Sequence, residues 1–567
     1  MASRTQRGRS RRPGAAGFEA LLAMVLGTVL ALTVRRPHDW STTIAHDDGD
    51  PLLNSWILGW PAHAIRSSGR LWDANTFAPL ANSFAFTDSL LGYLPFGLVG
   101  SGPSAALARY NVVLIFTLAL AFAGTWVLVR QLGLGRAAAL VAATAFAFSP
   151  WRASQLGHLQ VLSTGGIPLA LAMLARGHGI GLRCGSRRAR PLWAYAGWVT
   201  AAWQISLGFG IGLQLGYVLA VCAGCAALRV VARRLRGDEG PDPALVIANG
   251  AGLVLFLGVA AVLAQPYFDV VEEHPQSRRT VEQVEAFSPD PASLVTASPD
   301  SWLWGPVTGP LREGVEAVNE KELWPGLLAV GLAALGLARG PWSRQRRIVL
   351  LGATATLAAL SLGTNGPFGG SGYLLLYEYA PGYQGVRTPG RLVTTAWLAL
   401  ALLAAHGVTV LLRLRPVVRH LDRSTVAAAL TALVLVEGLD TAVQVPVERP
   451  PSVALADVPG PVLVLPSDQL ADILVMHWSA DRFPRVVNGY SGFQPLLQAE
   501  LRRAAARLPS ADSLSLLRSS GVRSLLLLHD RLAGTRYERL DLVALAQVPG
   551  VRVERRGEVT IVDLASR

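Results

Sequence analysis

Apolar runs of bilayer length, separated by short arginine-rich or acidic interruptions, fill the chain to about residue 445, and a soluble-type pattern follows Pro446. Residues 18–34 form the first run, close to the roughly 20 residues a hydrocarbon core requires. Residues 110–129 and 137–151 follow, around a turn carrying Arg130 and Arg136. From 153 to 175 there is no Asp, Glu, Lys or Arg, and 191–228 is uncharged for 38 residues, enough for two spans broken at Gly208, Gly210 and Gly212. Residues 243–265 make the seventh run, two more bracket Arg339, Arg344, Arg346 and Arg347, and 392–412 and 424–443 enclose Arg413, Arg415, Arg419 and Arg423. The pattern predicts eleven spans. Beyond Pro446, residues 462–465, 522–529 and 551–564 read as strands, the last a hairpin turning at Arg556-Gly557-Glu558, and 495–508 and 510–519 as helices.

Charge orients these elements. Arg4, Arg7, Arg9, Arg11 and Arg12 place the N-terminus in the cytoplasm, and no small-residue cleavage site follows before Arg35, so the first run reads as an uncleaved span. Each arginine cluster then falls on the same side, and the odd span count leaves the C-terminus outside. Residues 266–324 reverse the balance, with eleven acids against Arg278, Arg279, Arg312 and Lys321, as a translocated loop does. Residues 89–100 read as an interfacial stretch. The expected architecture is a mainly α, polytopic membrane unit, 1–445, with a first external loop at 35–103, and a small extracytoplasmic α/β domain, 446–567. Such a chain is expected in a membrane.

Composition agrees: 51% of residues are hydrophobic, 16% charged, and the mean hydropathy is +0.37, which excludes an ordinary soluble multidomain protein. The net charge of +13 resides in loops between spans and has no nucleic-acid motif beside it, so no nucleic-acid partner is expected. Cys222 and Cys225 lie in an apolar run without a second pair, as small helix-packing residues, and Cys184 lies in a basic loop; no disulfide framework is indicated.

The densest candidate chemistry is His46-Asp47-Asp48-Gly49-Asp50-Pro51, just beyond the first span, leading into a helical pattern with Leu53, Trp56, Trp60 and His63 at steps of three and four. Asp50 before Pro51 reads equally as a helix cap, although capping needs one carboxylate and not three. His158 and Gln160 lie at a span boundary on the same side, His158 being either a packing residue or a ligand. Arg387 and Arg391, spaced by four, suit either a phosphate or the interface before the tenth span. Glu437 and Asp440 are expected to reach for the interface, and the aromatic loop Asn488-Gly489-Tyr490-Ser491-Gly492-Phe493 to contact an acceptor or to form a turn.

Asp50-Pro51-Leu52-Leu53-Asn54 resembles the Asp-Pro-x-x-Asn element in the first external loop of oligosaccharyltransferase catalytic subunits, members of the GT-C glycosyltransferase superfamily. An acidic motif after span one, a multi-span body and a C-terminal extracytoplasmic domain are similarly the GT-C plan. The peptide-binding Trp-Trp-Asp signature of oligosaccharyltransferases is absent. The resemblance implies transfer of a sugar from a polyprenyl-phosphate donor to a glycan, lipid or protein acceptor at the outer membrane face. It implies Asp50 and Asp48 as catalytic carboxylates, and a divalent metal such as Mg or Mn held by Asp47, Asp50 and His158. Arg387 and Arg391 would hold the donor phosphate, and Asn54, Trp56 and Gln160 would shape the substrate pocket. Membrane lipids and the acceptor would be its partners. The chain also resembles uncharacterised bacterial membrane proteins, which implies the bacterial cytoplasmic (inner) membrane. A lipid-linked glycan flippase or a non-catalytic envelope assembly protein are the competing classes; the near absence of charge from the middle of the spans disfavours the first.

Overall fold

A bilayer offers no partners to backbone N–H and C=O groups, so apolar runs must satisfy them internally as helices. The computed structural model describes residues 14–181, 189–237, 240–414, 422–441 and 444–564; Arg4, Arg7, Arg9, Arg11, Arg12, Cys184, Arg415 and Arg419 lie outside the described residues. Within these, six helical segments are long and apolar enough to cross a membrane: Gly17–Arg35, Gly102–Gln131, Leu159–Gly177, Phe209–Arg234, Pro243–Glu273 and Pro389–Leu411. The chain is a mainly helical, multi-pass membrane protein. The other expected runs are helices of 12 to 18 residues: Arg136–Ala147, Pro191–Leu207, Leu327–Arg339, Arg344–Ser361 and Arg423–Glu437. These are shorter than the roughly 20 residues of a full crossing.

Two breaks position the site. The uncharged run 153–175 is divided among Pro150–Ser154, Leu159–Leu162 and Gly166–Gly177; at the second interruption Gly165 lies so close to the Gly102–Gln131 helix that a methyl there would meet the Leu120 carbonyl carbon at 2.6 Å. The first interruption carries His158 into the bundle. The second break, at Gly208, separates Pro191–Leu207 from Phe209–Arg234, and a methyl on Gly208 would lie 2.8 Å from the Gln160 carbonyl.

The helix Val393–Leu411 is the buried axis, packed by Leu327–Arg339, Arg344–Ser361 and Arg136–Ala147. Its contact with Leu327–Arg339 is backbone on backbone: a methyl on Gly336 would overlap the Leu403 carbonyl, and one on Gly407 the Leu332 carbonyl. Small residues at facing positions permit this approach where there is no hydrophobic drive between helices.

Some side chains depart from their expected surroundings. Glu437 accepts hydrogen bonds from the Leu327 and Leu328 N–H groups (2.9 and 3.3 Å), capping the Leu327–Arg339 helix rather than reaching outward. Asp440 pairs with Arg35 at 2.7 Å. Cys222 and Cys225 face away from the protein rather than packing helices together. In the 89–100 stretch, Leu90 and Tyr93 are buried, and the Tyr93 hydroxyl meets Thr117 and Ser163 at 2.8 and 2.7 Å, so this segment packs on the bundle.

β1 (Thr43–Ala45) pairs antiparallel with β2 (Gln444–Pro446), tying the chain after the first helix to the chain after the last. The C-terminal residues form a four-stranded sheet in the order β3-β4-β6-β5, from β3 (Val462–Leu465), β4 (Ser524–Leu528), β5 (Arg552–Arg556) and β6 (Val559–Asp563). β3 and β4 are parallel, and β5 and β6 form a hairpin whose turn uses Gly557 at φ +59°. Helices Gln469–Trp478, Leu496–Ala506 and Ala511–Ser519 accompany the sheet.

The backbone contact at Gly407 yields a first prediction. Gly407→Ala should destabilise the purified protein by about 1–3 kcal/mol through overpacking. Gly331→Ala, on the open face of Leu327–Arg339 with no atom near the added methyl, should leave the thermal unfolding midpoint unchanged or slightly raised.

Candidate active site

Asp50–Ile57 is a helix of two turns opened by Asp50 and Pro51, the proline occupying a position whose N–H would have no partner. No side chain caps it. Asp47 instead closes the preceding turn: its Oδ1 accepts from the Gly49 N–H at 2.9 Å, and its Oδ2 lies 2.6 Å from His46 Nδ1. That hydrogen bond raises His46 above the usual imidazole range. Asp48 is exposed. Asp47 therefore shapes the turn, Asp48 points to solvent, and Asp50 alone of the three lines the main cavity.

The helix is buried from Pro51 to Ile57 and packs against Gln469–Trp478. Ser55 Oγ meets His477 Nδ1 at 2.9 Å. Trp56 Nε1 donates to Asn75 Oδ1 at 3.0 Å, while Asn75 Nδ2 donates to Ser479 Oγ (3.0 Å) and the Pro484 carbonyl (2.9 Å). Trp56 thus belongs to the junction behind the helix and does not line the cavity. Burial holds His477 down at about 4.

The cavity, of about 1380 Å³, has two unlike ends. One is apolar, walled by side chains such as Trp198, Leu219, Leu253, Phe256 and Ala264 from Pro191–Leu207, Phe209–Arg234 and Pro243–Glu273. At the other, Asp50 Oδ2 lies 3.6 Å from His158 Nε2, which lies 3.9 Å from Glu320 Oε1. Arg391 grips Glu320 with both arms, Nη2 to Oε1 at 2.5 Å and Nε to Oε2 at 3.1 Å. Burial would push Glu320 up, but Arg391 and, secondarily, His158 outweigh it and hold the carboxyl below the usual range. Asp50 Oδ1 receives the Tyr490 hydroxyl at 3.4 Å.

Asn54, Gln160 and Arg387 line the same cavity. Asn54 Nδ2, Gln160 Oε1 and His158 Nδ1 are buried polar atoms without a protein partner, the condition in which a bound molecule supplies the missing bonds. The Arg387 guanidinium lies 4.8 Å from the centre of the Phe287 ring. Burial, together with the like charge of Arg387, lowers Arg279 to about 10, so two guanidinium groups share this wall. Arg391 is engaged by Glu320, and Arg278, Arg279 and Arg387 also line the cavity.

The structure brings Asp50, His158, Asn54, Gln160, Arg387 and Arg391 to one cavity, and leaves Asp47, Asp48 and Trp56 off its lining. Glu320, Asp88, Arg279 and Tyr490 join them. Glu320 carried only a collective signal in the sequence, as one of the acids in 266–324. Asp88 accepts from the Phe209 N–H at 3.1 Å where the helix restarts after Gly208, and burial raises its carboxyl.

Among the described residues, no group of three His, Cys, Asp or Glu side chains is placed to hold a metal ion. Asp47 is committed to His46 and Gly49, and Glu320 to Arg391, so Asp50 and His158 remain as two donors. The expected trio is thus not gathered at one point: Asp47 lies off the cavity lining, while Asp50 and His158 stand 3.6 Å apart on it.

No family model matches the sequence, and no curated protein does. Solved structures do. The arabinofuranosyltransferase AftD from Mycobacteria superposes with a TM-score of 0.51 at 17% identity, over 97% of this chain and 40% of that one. The fold is GT-C-like. The oligosaccharyltransferase AglB from Archaeoglobus fulgidus, solved with an inhibitory peptide and a dolichol-phosphate, matches at a TM-score of 0.42 and 12% identity, over 97% of this chain and 74% of that one. ArnT from Cupriavidus metallidurans matches at 0.34 and 14%, over 97% and 99%. The chain spans 40% of the length of AftD.

The buried imidazole behind Asp50–Ile57 gives a prediction about pH. His477 near 4 when folded, against about 6.5 when unfolded, binds its proton more weakly in the native state. The stability it confers is complete above pH 6.5 and is lost as pH falls toward 4, by up to about 3 kcal/mol at roughly 1.4 kcal/mol per unit. Thermal unfolding of the full chain should show this acid-side loss, and His477→Asn should flatten it.

Proposed function

We propose that the chain is a membrane glycosyltransferase that passes a sugar from a polyprenyl-phosphate donor to an acceptor hydroxyl on the outer face of the cytoplasmic membrane. One observation carries the reading: a single cavity joins carboxylates, an imidazole and arginines, Asp50, His158, Arg279 and Arg387 among them, at one end to an apolar trough among membrane helices at the other. An amphiphile with a long hydrocarbon tail and a charged, sugar-bearing head fits that division. Its volume exceeds the roughly 300–1,000 Å³ of ordinary small-molecule pockets. The similarity of fold to an arabinofuranosyltransferase agrees with sugar transfer.

The chemistry follows from the placement. The acceptor O–H directs its proton to Asp50 Oδ2 as its oxygen bonds to the anomeric carbon, and the bond from that carbon to the phosphate oxygen breaks, its electron pair leaving with the lipid phosphate. Arg387 and Arg279 face the charge that develops on the phosphate. His158, between Asp50 and Glu320, holds the carboxylate's second neighbour in place, and Arg391 fixes Glu320. Asn54 and Gln160 offer hydrogen bonds to sugar hydroxyls. On this reading the C-terminal unit faces outward and the arginine-rich interruptions between spans fall on the cytoplasmic side.

With a panel of polyprenyl-phosphate sugars and the protein in nanodiscs, Asp50→Asn should lower transfer by about 10²–10⁴-fold with an unchanged unfolding midpoint. Arg387→Gln should raise the donor KM about tenfold or more, the loss of one charge-assisted contact. Full activity in Asp50→Asn overturns the reading, and lipid translocation without any transfer product in the wild type replaces it with a flippase.

A further inference from the structure

The loop of residues 488–493 is held at two ends. At one, the buried Asp472 carboxylate gathers it: Asn488 Nδ2 donates to Oδ1 at 2.6 Å and the Gly489 N–H to Oδ2 at 3.0 Å. Arg502 pairs with the same carboxylate at 2.5 Å, and Gln498 Nε2 donates to the Gly489 carbonyl at 2.7 Å. At the other end the Gly492 carbonyl accepts from Arg279 Nη1 at 2.9 Å. Between these anchors Tyr490 turns to Asp50, 440 residues away in the chain, and its hydroxyl donates to Oδ1 at 3.4 Å. The opposite oxygen, Oδ2, faces His158 at 3.6 Å.

A wholly buried ion pair is weak evidence for stability, since removing both charges from water costs about as much as their attraction returns. The Asp472–Arg502 pair has another visible consequence. Besides Ser467, Asp468 and Gln498, its hydrogen-bond partners are the Asn488 side chain and the Gly489 N–H and carbonyl, so it helps set where the following residue stands. Gly489 admits no variation there: a methyl would lie 2.6 Å from the Phe77 ring.

We propose that Tyr490 is a positioning residue for Asp50, projected by the Asp472-anchored loop so that its hydroxyl fixes the plane of the carboxylate and leaves Oδ2 to receive the acceptor proton. This rests on the reading of Asp50 as the base. A carboxylate on the first turn of a short helix, at the edge of a large cavity, is otherwise free to rotate about its side-chain torsions. One donated hydrogen bond to one oxygen removes that freedom without taking the other oxygen. A separation of 3.4 Å is long for such a bond, and hydrogen bonds of this kind tighten when substrate fills the site.

Two arms test it on the full chain in nanodiscs. In the first, 3-fluorotyrosine is placed at 490 and its ionisation followed by fluorine NMR with Asp50 or Asp50→Asn. The phenol is held up by burial and by the Asp50 charge, so Asp50→Asn should lower its titration midpoint by about one unit; an unmoved midpoint overturns the contact. In the second, Tyr490→Phe, which keeps the ring, should lower kcat about tenfold with donor KM within about twofold and the unfolding midpoint unchanged. Unchanged kcat, or a loss confined to KM, overturns the positioning role. Gly489→Ala should reproduce the kcat loss by displacing the loop although the tyrosine keeps its hydroxyl. The fluorine arm needs no turnover, so a wild type inactive on every donor defeats the transferase reading while that arm still decides whether Tyr490 holds Asp50.

Discussion

Two turns of helix are too few to be stable alone, because the nucleus costs more than so short a run of hydrogen bonds returns. Asp50–Ile57 stands where it does because it is clamped: the Gly102–Gln131 helix packs on it from the bundle, and Gln469–Trp478 from the sheet unit. Ser55, Trp56 and Asn75 fasten the second of these contacts with three hydrogen-bonded links. β1 and β2 pair beside it, joining the same two parts of the chain. The position of one carboxylate thus depends on a junction between residues more than four hundred positions apart, and the C-terminal unit is part of the site's frame.

Much of this was legible in the sequence, and the reasons differ by element. Val462–Leu465 and the hairpin at Gly557 came from runs of β-branched and aliphatic residues bounded by turn formers, a local signal. The break at Gly208 came from glycines in an otherwise unbroken apolar run. Asp50 stood out in a dense acidic cluster and, with Asn54, through the resemblance to the Asp-Pro-x-x-Asn element, whereas His158 and Gln160 stood out as polar groups at a span boundary. The division of the 153–175 run escaped notice, since hydropathy is blind to backbone contacts such as that between Gly165 and Leu120. So did the separate fates of Asp47, Asp48 and Asp50: three acids in four residues look alike in sequence, and only the turn geometry sends one to Gly49, one to solvent and one to the cavity.

Glu320 shows the limit more sharply. Its meaning comes from Arg391, 71 residues later, and from His158, far earlier, and no spacing in the chain announces that meeting. Arg391 was expected beside Arg387 as one of a pair for phosphate. The structure gives it a carboxylate partner and places Arg279 beside Arg387 instead, so the cationic wall is assembled from two loops rather than from one i, i+4 repeat. Local patterns find residue types that chemistry needs; which of them meet is decided by tertiary packing.

The apolar end of the cavity has a consequence for how the protein should be handled. Phe209–Arg234 and Pro243–Glu273 each have only 11% of their most apolar window buried inside the protein, so most of their surface is finished by whatever surrounds it. Hydrocarbon chains are then structural material for that wall, as much as leucine or phenylalanine is elsewhere. The width of the trough becomes a property of protein and solvent jointly, and a micelle of short-chain surfactant presents a different vessel from a bilayer, even where every residue of Val393–Leu411 keeps its place.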